Sequence, residues 1–139
     1  MRIFLDASIW LSAPRKPEGG SGLLLELAAA GKLVALSSVA TLEEIRRNVE
    51  KVGRSMPELE TLLMRVQPVL VPISKADLDR WATISEKDRH VIAGAVLGRA
   101  DFLATLDKVH LDNPETQAKV PIAIGDAGAC LKALRAWQK

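Results

Sequence analysis

The chain has 139 residues, of which 48% are hydrophobic and 26% charged, so we expect one folded domain and no intrinsically disordered protein. Nineteen Lys and Arg residues against 17 Asp and Glu residues give a formal charge of +2, too small to indicate a nucleic-acid-binding protein by itself. The first apolar stretch stops at Asp6, which argues against a signal peptide, and no stretch approaches the roughly 20 apolar residues that span a bilayer, so a cytoplasmic protein without a membrane partner is predicted.

Short apolar runs alternate with helical patterns in the first half of the chain. RIFL predicts the first strand, SIWLSA a short helix, PRKPEGGSG a loop, LLLELAAAG a helix and LVALS the second strand. SVATLEEIRRNVEKVG has the apolar stripe of an amphipathic helix that ends at Gly53. PELETLLMRV predicts a further helix, with Pro57 in its first turn.

The same alternation continues in the second half. VLVPI predicts a third strand at a sheet edge, because Pro72 cannot donate a ladder hydrogen bond. SKADLDRWATI and SEKDRHVIAGAVLGRA predict helices with Ser74 and Ser85 as N-caps, DFLATL and VPIAIG predict strands, and DAGACLKALRAWQ predicts a closing helix capped by Asp126. The alternation predicts an α/β fold with a mainly parallel sheet and helices on both faces.

Four acidic residues fall at positions that such a sheet brings to one edge. Asp6 follows the first strand, and Asp107 follows the fourth. Glu44 lies in the first turns of the helix after the second strand, and Asp88 lies in the first turn of the SEKDRHVIAGAV helix. Because ligands collect outside the carboxyl ends of parallel strands, we expect these carboxylates to converge there.

Converging carboxylates would repel one another unless one took up a proton or a cation bound between them. Mg²⁺ or Mn²⁺ prefers oxygen ligands and suits phosphodiester chemistry, because it activates water and stabilises charge on a phosphoryl oxygen. The hydroxyls of Ser8 and Thr105, each two residues from an acid of the set, are expected to orient a carboxylate or a metal-bound water.

A metal site built from Cys and His residues is not expected. Cys130 is the single cysteine, which excludes an intrachain disulfide and a cysteine cluster. His90 and His110 lie at no spacing typical of metal ligands. His110, three residues past Asp107, could contact a substrate, but a surface position is the simpler interpretation. Any metal is therefore expected to be held by carboxylates.

Asp88 and Asp77 share a second interpretation, as helix caps. Asp88 lies three residues after Ser85, and Asp77 lies three residues after Ser74, which is the spacing of a capping box. An acid in the first helical turn also interacts favourably with the helix dipole. We adopt the capping interpretation for Asp77 and leave both interpretations open for Asp88.

The other acids have structural interpretations too. Glu43 and Glu44 could each pair with Arg47 at helical spacing, and helical periodicity does not choose between the two glutamates. Asp6 and Asp107 could cap the helices that follow them. Three further acids are assigned to turns or caps, namely Asp101, Asp112 and Asp126.

Taken together, IFLDAS, LSSVATLEEI and KDRHVIAGAVLGRADFLATLDK resemble the motifs of the PIN-domain ribonucleases, which include VapC-type toxins. The resemblance runs from the first strand to VPIAIGDAGACLKAL, and EEIRRNVEK and TLDKVHL look closer to a PilT N-terminus-like branch. It implies one PIN-like domain over residues 1–139, a Rossmann-type three-layer sandwich with a parallel sheet of about five strands.

The resemblance also implies a site and an activity. The family's acids map to Asp6, to Glu44 rather than Glu43 because an aliphatic residue follows, to Asp88, and to the Asp107 of a T-x-D motif. They imply a Mg²⁺- or Mn²⁺-dependent endoribonuclease that cleaves RNA, commonly as a homodimer. For the toxin branch, the resemblance implies inhibition by a VapB-like antitoxin.

Three hypotheses follow from the residues and the resemblance. The first is a ribonuclease in which nearby basic residues hold phosphates: Arg46, Arg47, Arg89 and Lys108. The second is a PIN module that binds RNA or protein without catalysis. The third is a haloacid-dehalogenase-like phosphatase, but that chemistry needs a second aspartate where this chain has Ser8.

Overall fold

The computed structural model describes residues 1–13 and 19–137. The strands in these ranges are β1 (Arg2–Leu5), β2 (Val34–Ser37), β3 (Val69–Leu70), β4 (Phe102–Ala104) and β5 (Ala123–Gly125). The helices are α1 (Ala7–Ser12), α2 (Gly20–Ala29), α3 (Val39–Asn48), α4 (Met56–Val66), α5 (Lys75–Asp79), α6 (Arg89–Leu97), α7 (Pro114–Lys119) and α8 (Ala127–Trp137), and a 3₁₀ turn, Glu86–Asp88, precedes α6.

The five strands form one sheet in the order β3-β2-β1-β4-β5, and every neighbouring pair is parallel. β1 is central, and its register pairs Leu5 with Ala104 of β4. Strand order reverses between β1 and β4, and open α/β sheets bind their ligands outside the carboxyl ends of the strands at such a point. The predicted parallel α/β sheet is confirmed.

Two hydrophobic clusters cover the two faces of the sheet, because side chains alternate along each strand. Ile3 and Leu5 of β1 face the cluster that includes residues of α1, α2, α3, α4 and α8. Phe4 faces the opposite cluster, which includes residues of α6 and the segments around Leu111 and Ile122. The result is the three-layer sandwich expected from the sequence.

Gly94 allows α6 to pack directly against the central strand. A Cβ atom at this position would lie 2.5 Å from Cε2 of Phe4, a separation that real Cβ atoms do not show. Because Phe4 is fully buried in the middle of the sheet, its ring has no free space into which it could move. Gly94 therefore sets the distance between β1 and the helix that begins just after Asp88.

The structure corrects several predicted elements. Of the predicted loop PRKPEGGSG, residues 14–18 lie outside the described ranges, while its last three residues belong to α2. Ser85 does not cap a helix; the 3₁₀ turn follows it, and α6 begins only at Arg89. Helix α7 was not predicted, because PETQAK carries no apolar stripe. The capping roles of Ser74 and Asp126 are confirmed.

No helix in the described parts of the chain combines the length and the apolar character needed to cross a membrane.

Candidate active site

Asp6 lies directly beyond β1, where its backbone N–H donates to the carbonyl of Ala104 at 3.0 Å. Its side chain is 6% exposed. Oδ2 accepts one hydrogen bond from Ser8 Oγ and another from Thr105 Oγ1, each at 2.8 Å. Asp6 occupies the N-cap position of α1, but its carboxylate makes no capping hydrogen bond to that helix. Its orientation is therefore fixed by two hydroxyls, 2 and 99 residues away in sequence.

The surroundings of Asp6 favour its neutral form in the metal-free protein. Burial raises the pKa of this carboxyl, and the negative charge of Glu44 raises it further. The hydrogen bonds from Thr105 and Ser8 act in the opposite direction without cancelling the effect of burial. A carboxylate held in this way would gain from a bound cation.

Glu44 is the glutamate of α3 that belongs to this region. Its side chain is 36% exposed, and its Oε1 lies 3.7 Å from His90 Nε2 on α6. Its negative charge acts on Asp6. Glu43 is exposed, and the ion pairs among the described residues include none between Arg47 and either glutamate. The structure thus separates two glutamates that helical periodicity leaves equivalent.

Asp88 ends the 3₁₀ turn, and its side chain is 8% exposed. Its Oδ2 is buried and has no hydrogen-bond partner among the described residues. Burial raises the pKa of Asp88; the charge of His110 lowers it, while those of Asp107 and Asp6 raise it. An unpartnered buried carboxylate oxygen is costly, so this atom needs a ligand or a proton. The capping interpretation of Asp88 is wrong, because neither it nor Ser85 makes a capping bond.

Asp107 follows β4, bonds the backbone of the next turn through Oδ1 and approaches His110 through Oδ2. Its Oδ1 accepts from the backbone N–H groups of Val109 and His110 at 3.1 and 2.9 Å, while its Oδ2 lies 3.2 Å from His110 Nδ1. Burial alone would raise the pKa of Asp107, but the backbone and ring hydrogen bonds of His110 and the backbone hydrogen bond of Val109 outweigh it and hold the pKa below its usual value. The capping interpretation of Asp107 is wrong, because a turn and not a helix follows it, and Oδ1 bonds the backbone of that turn.

Three side chains approach closely enough to share one metal ion. One ligand atom each from Asp88, Asp107 and His110 lie within 4.8 Å of one another. The orphaned Asp88 oxygen and the mutual repulsion of the carboxylates fit a divalent cation with oxygen ligands. Asp6 adjoins this group through its charge on Asp88, and Glu44 adjoins Asp6. We call the set Asp6, Glu44, Asp88 and Asp107 the acid cluster.

His110 is the candidate metal ligand that the sequence analysis did not predict. The spacing of the two histidines argued against a ligand, but the relevant neighbour of His110 is Asp107, three residues before it in the same turn. The signal available in the sequence was the short D-x-x-H spacing directly after a strand, which places a carboxylate and an imidazole side by side.

The four basic residues named from the sequence lie in different environments. Arg46 and Arg47 are exposed in the last turn of α3, and Lys108 is exposed directly after Asp107. Arg89 is half-buried: its Nε donates to the carbonyl of Ile84 at 2.9 Å, and its Nη2 donates to that of Ala82 at 3.0 Å. Arg89 thereby secures the loop that leads to Asp88.

Comparison with known proteins identifies the family. The sequence model of the PIN domain matches residues 2–109, which include all four acids of the cluster. The chain belongs to the PIN domain family. This confirms the resemblance seen in the sequence motifs, and the matched segment of the PIN domain runs from β1 to the turn after β4.

One solved structure supports the fold of this PIN domain. This PIN domain is similar to the crystal structure of VapBC2 from Rickettsia felis bound to a DNA fragment from their promoter, with a TM-score of 0.63. The sequences are 17% identical, and the alignment covers 91% of this chain and 98% of that chain. At that identity the likeness shows a shared fold. Among curated protein sequences, none matches this chain.

Proposed function

We propose that this PIN domain is a metal-dependent endoribonuclease that hydrolyses RNA phosphodiester bonds, with Asp6, Glu44, Asp88 and Asp107 as its catalytic acids and Mg²⁺ or Mn²⁺ as its cofactor. The observation that carries the proposal is the buried, unpartnered Oδ2 of Asp88 beside two further carboxylates and His110. Membership of the PIN domain family supports it, because PIN domains are generally nucleases.

Each acid has a task in the proposed reaction. A bound divalent cation would supply an activated water and stabilise negative charge on the phosphoryl oxygens. Asp88 and Asp107 offer oxygens within 4.8 Å of each other to hold that cation. Asp6 presents a carboxylate whose direction is fixed by the hydroxyls of Ser8 and Thr105. Glu44 completes the cluster from α3.

Exposed basic residues lie close in sequence to the acids of the cluster and suit an anionic polymer. We assign phosphate contacts to Arg46, Arg47 and Lys108, whose side chains are exposed. Arg89 can contribute through Nη1, since its other two donor nitrogens are bonded to loop carbonyls. Such contacts position the RNA strand without reading its sequence.

The structural neighbour suggests a biological setting. The solved VapBC2 complex carries a toxin of the same fold, and we infer that this chain is likewise the toxin of a toxin–antitoxin pair. It would then have a VapB-like antitoxin as partner and form a homodimer. Growth arrest on expression, relieved by a co-expressed antitoxin, together with light scattering of the purified protein, tests these assignments.

Cleavage of a mixed RNA pool by the purified protein tests the nuclease directly. Reactions contain Mg²⁺, Mn²⁺ or EDTA, and the variants are Asp6→Asn and the control Asp77→Asn, an exposed acid engaged in a helix cap. We expect cutting that needs the metal, is lost in Asp6→Asn and is retained in Asp77→Asn. RNA binding without cutting under all conditions would instead favour a non-catalytic PIN module. Full activity in Asp6→Asn would refute the assigned site.

A further inference from the structure

A cavity lies on the β3 side of the molecule, and His90 links it to the acid cluster. It has a volume of about 360 Å³ and lies between the start of α3, the segment after β3, α5 and α6. Its residues include Ala40, Ile73, Leu78 and His90. His90 also lies 3.7 Å from Glu44, so one imidazole contributes to the wall of the cavity and contacts the acid cluster. Any group in this cavity would therefore sit next to the proposed cleavage site.

The chemistry of the cavity wall selects against a phosphate and for a planar, mostly apolar group. Besides Pro72, Ser38 and His90, the lining consists of five apolar side chains and includes no Lys or Arg: Val39, Ala40, Val71, Ile73 and Leu78. Val39, which belongs to the lining, is 61% exposed. An exposed apolar rim around an apolar hollow is typical of a ligand site.

Two polar side chains belong to the lining of the cavity, Ser38 and His90. His90 Nδ1 is buried and has no hydrogen-bond partner among the described residues. The C=O of Pro72 and the N–H of Ile73 belong to neither a strand nor a helix. Sequence-specific proteins recognise single-stranded RNA by splaying out a base, packing its faces against side chains and bonding its edge.

From this placement we propose that the cavity binds one nucleobase of the RNA substrate, at a fixed position beside the scissile phosphate, and so sets the cleavage motif. The proposal rests on the proposed nuclease function, one of whose catalytic acids, Glu44, lies 3.7 Å from His90. The positive side chains near the cluster hold the backbone, while this cavity supplies the base selectivity that phosphate contacts lack.

Two substitutions alter the cavity from opposite walls. Ala40→Leu fills it from α3, and Leu78→Ala enlarges it from α5. Ala136→Leu is the control, because it makes the same change as the first variant on an exposed position of α8, which follows the opposite edge strand. Thermal melts verify that each variant folds, and if Ala40→Leu does not, Leu78→Ala decides the test.

The first measurement maps cut sites in RNA with randomised positions. We expect the wild-type protein and Ala136→Leu to discriminate among bases at one fixed position next to the cut. In both cavity variants, the preference for one base at that position should fall about tenfold, as expected when a base loses its packing contacts. The preferences at the other positions should stay unchanged. Unchanged discrimination in both cavity variants, with cutting intact, would overturn the cavity proposal and leave the nuclease proposal standing.

A binding measurement separates the two proposals when no cutting is seen. On an Asp6→Asn background, single-stranded RNA containing 2-aminopurine at successive positions reports which base enters an apolar site. A fluorescence change at one position that Leu78→Ala abolishes would support the base site even if the nuclease proposal failed. No position-dependent change and no base-dependent cutting would refute the base site, and an apolar peptide side chain would then be the remaining occupant.

Discussion

Two regions of the chain carry the same short pattern and fold in opposite ways. At the start of α5, Ser74 and Asp77 form a capping box: Ser74 Oγ accepts from the Asp77 N–H at 3.2 Å, and Asp77 Oδ2 accepts from the Ser74 N–H at 2.8 Å. Before α6, Ser85 and Asp88 have the same spacing, but neither side chain makes a capping bond. The Ser85 pattern leads into a 3₁₀ turn whose last residue points a carboxylate at other acids.

The difference shows that a local pattern does not by itself decide how an acid is used. Backbone and side-chain hydrogen bonds from Ser74 hold the pKa of Asp77 below its usual value. Burial, together with the charges of Asp107 and Asp6, raises the pKa of Asp88 despite the favourable charge of His110. One acid stabilises the fold; the other is kept in an environment that costs stability, which is typical of functional sites.

The largest expected effect separates the two aspartates by activity. Asp88→Asn removes a carboxylate from the acid cluster, so we expect RNA cleavage to fall on the order of 100-fold or more. Asp77→Asn, matched in residue type and in spacing from a serine, should cleave at the wild-type rate. Single-turnover rates at saturating Mn²⁺ measure both. Equal losses in the two variants would show that the contrast between these regions has no functional meaning.

A smaller effect is expected from the hydroxyl partners of the two regions. Thr105→Val removes the hydroxyl that bonds Asp6 Oδ2 and accepts from the Asp107 N–H, so Mn²⁺ affinity should fall by about tenfold. Ser74→Ala removes a helix cap and should lower the free energy of unfolding by about 1 kcal/mol without changing Mn²⁺ affinity. Calorimetric titration with Mn²⁺ and urea unfolding provide the two readouts, and wild-type Mn²⁺ affinity in Thr105→Val would contradict the orienting role.

The smallest expected effect is a change in the free energy of unfolding, measured in EDTA, that has opposite signs in the Asp88 and Asp77 variants. Because the pKa of Asp88 is raised in the folded protein, its contribution to stability is present at low pH and is lost as pH rises through the raised pKa. Asp88→Asn should therefore raise the free energy of unfolding of the metal-free protein at neutral pH, and this gain should shrink as the pH falls.

Asp77 provides the opposite case in the same experiment. Its pKa is lowered, so its contribution to stability is present above the unfolded-state pKa and is lost as pH falls through the folded value. Asp77→Asn should therefore lower stability at neutral pH. Urea unfolding of both variants between neutral pH and pH 4 shows whether each variant is more or less stable than the wild type. If Asp88→Asn were less stable at neutral pH, the ionised Asp88 carboxylate would not destabilise the metal-free fold.

The sheet was predictable from sequence because its central strands are short, apolar and bounded by polar residues. Ile3, Phe4 and Leu5 are fully buried, as a strand covered on both faces requires. Helix α7 escaped prediction, because Asn113 and Pro114 start it through local capping without an apolar stripe. Gly20 and its neighbours were assigned to a loop since glycine disfavours helices, yet α2 begins there, where a Cβ on Gly20 would meet Ala127 at 2.9 Å.

The candidate site, like the fold, could be predicted from sequence only in part. The strand-end positions of Asp6 and Asp107 follow from the predicted topology. The choice of Glu44 over Glu43 needed the family motif, because helical periodicity is silent on it. Three features of the site depend on tertiary contacts. They are the position of His110 beside Asp88, the unpartnered oxygen of Asp88, and the hydrogen bonds of Arg89 to loop carbonyls. Of the three, only His110 has a local signal in the sequence, its D-x-x-H spacing from Asp107.

The pairing of β1 with β4 has a consequence for the order in which the molecule is made. Asp6 is among the first residues synthesised, yet the hydroxyl that orients it belongs to Thr105, and its neighbours Asp88 and Asp107 also come late in the chain. A growing chain that ends before β4 already contains Asp6, Glu44 and Asp88, but it lacks Thr105 and Asp107, and one edge of β1 is unpaired. The acid set of the proposed nuclease is therefore complete only after β4 and the turn that carries Asp107 have been synthesised.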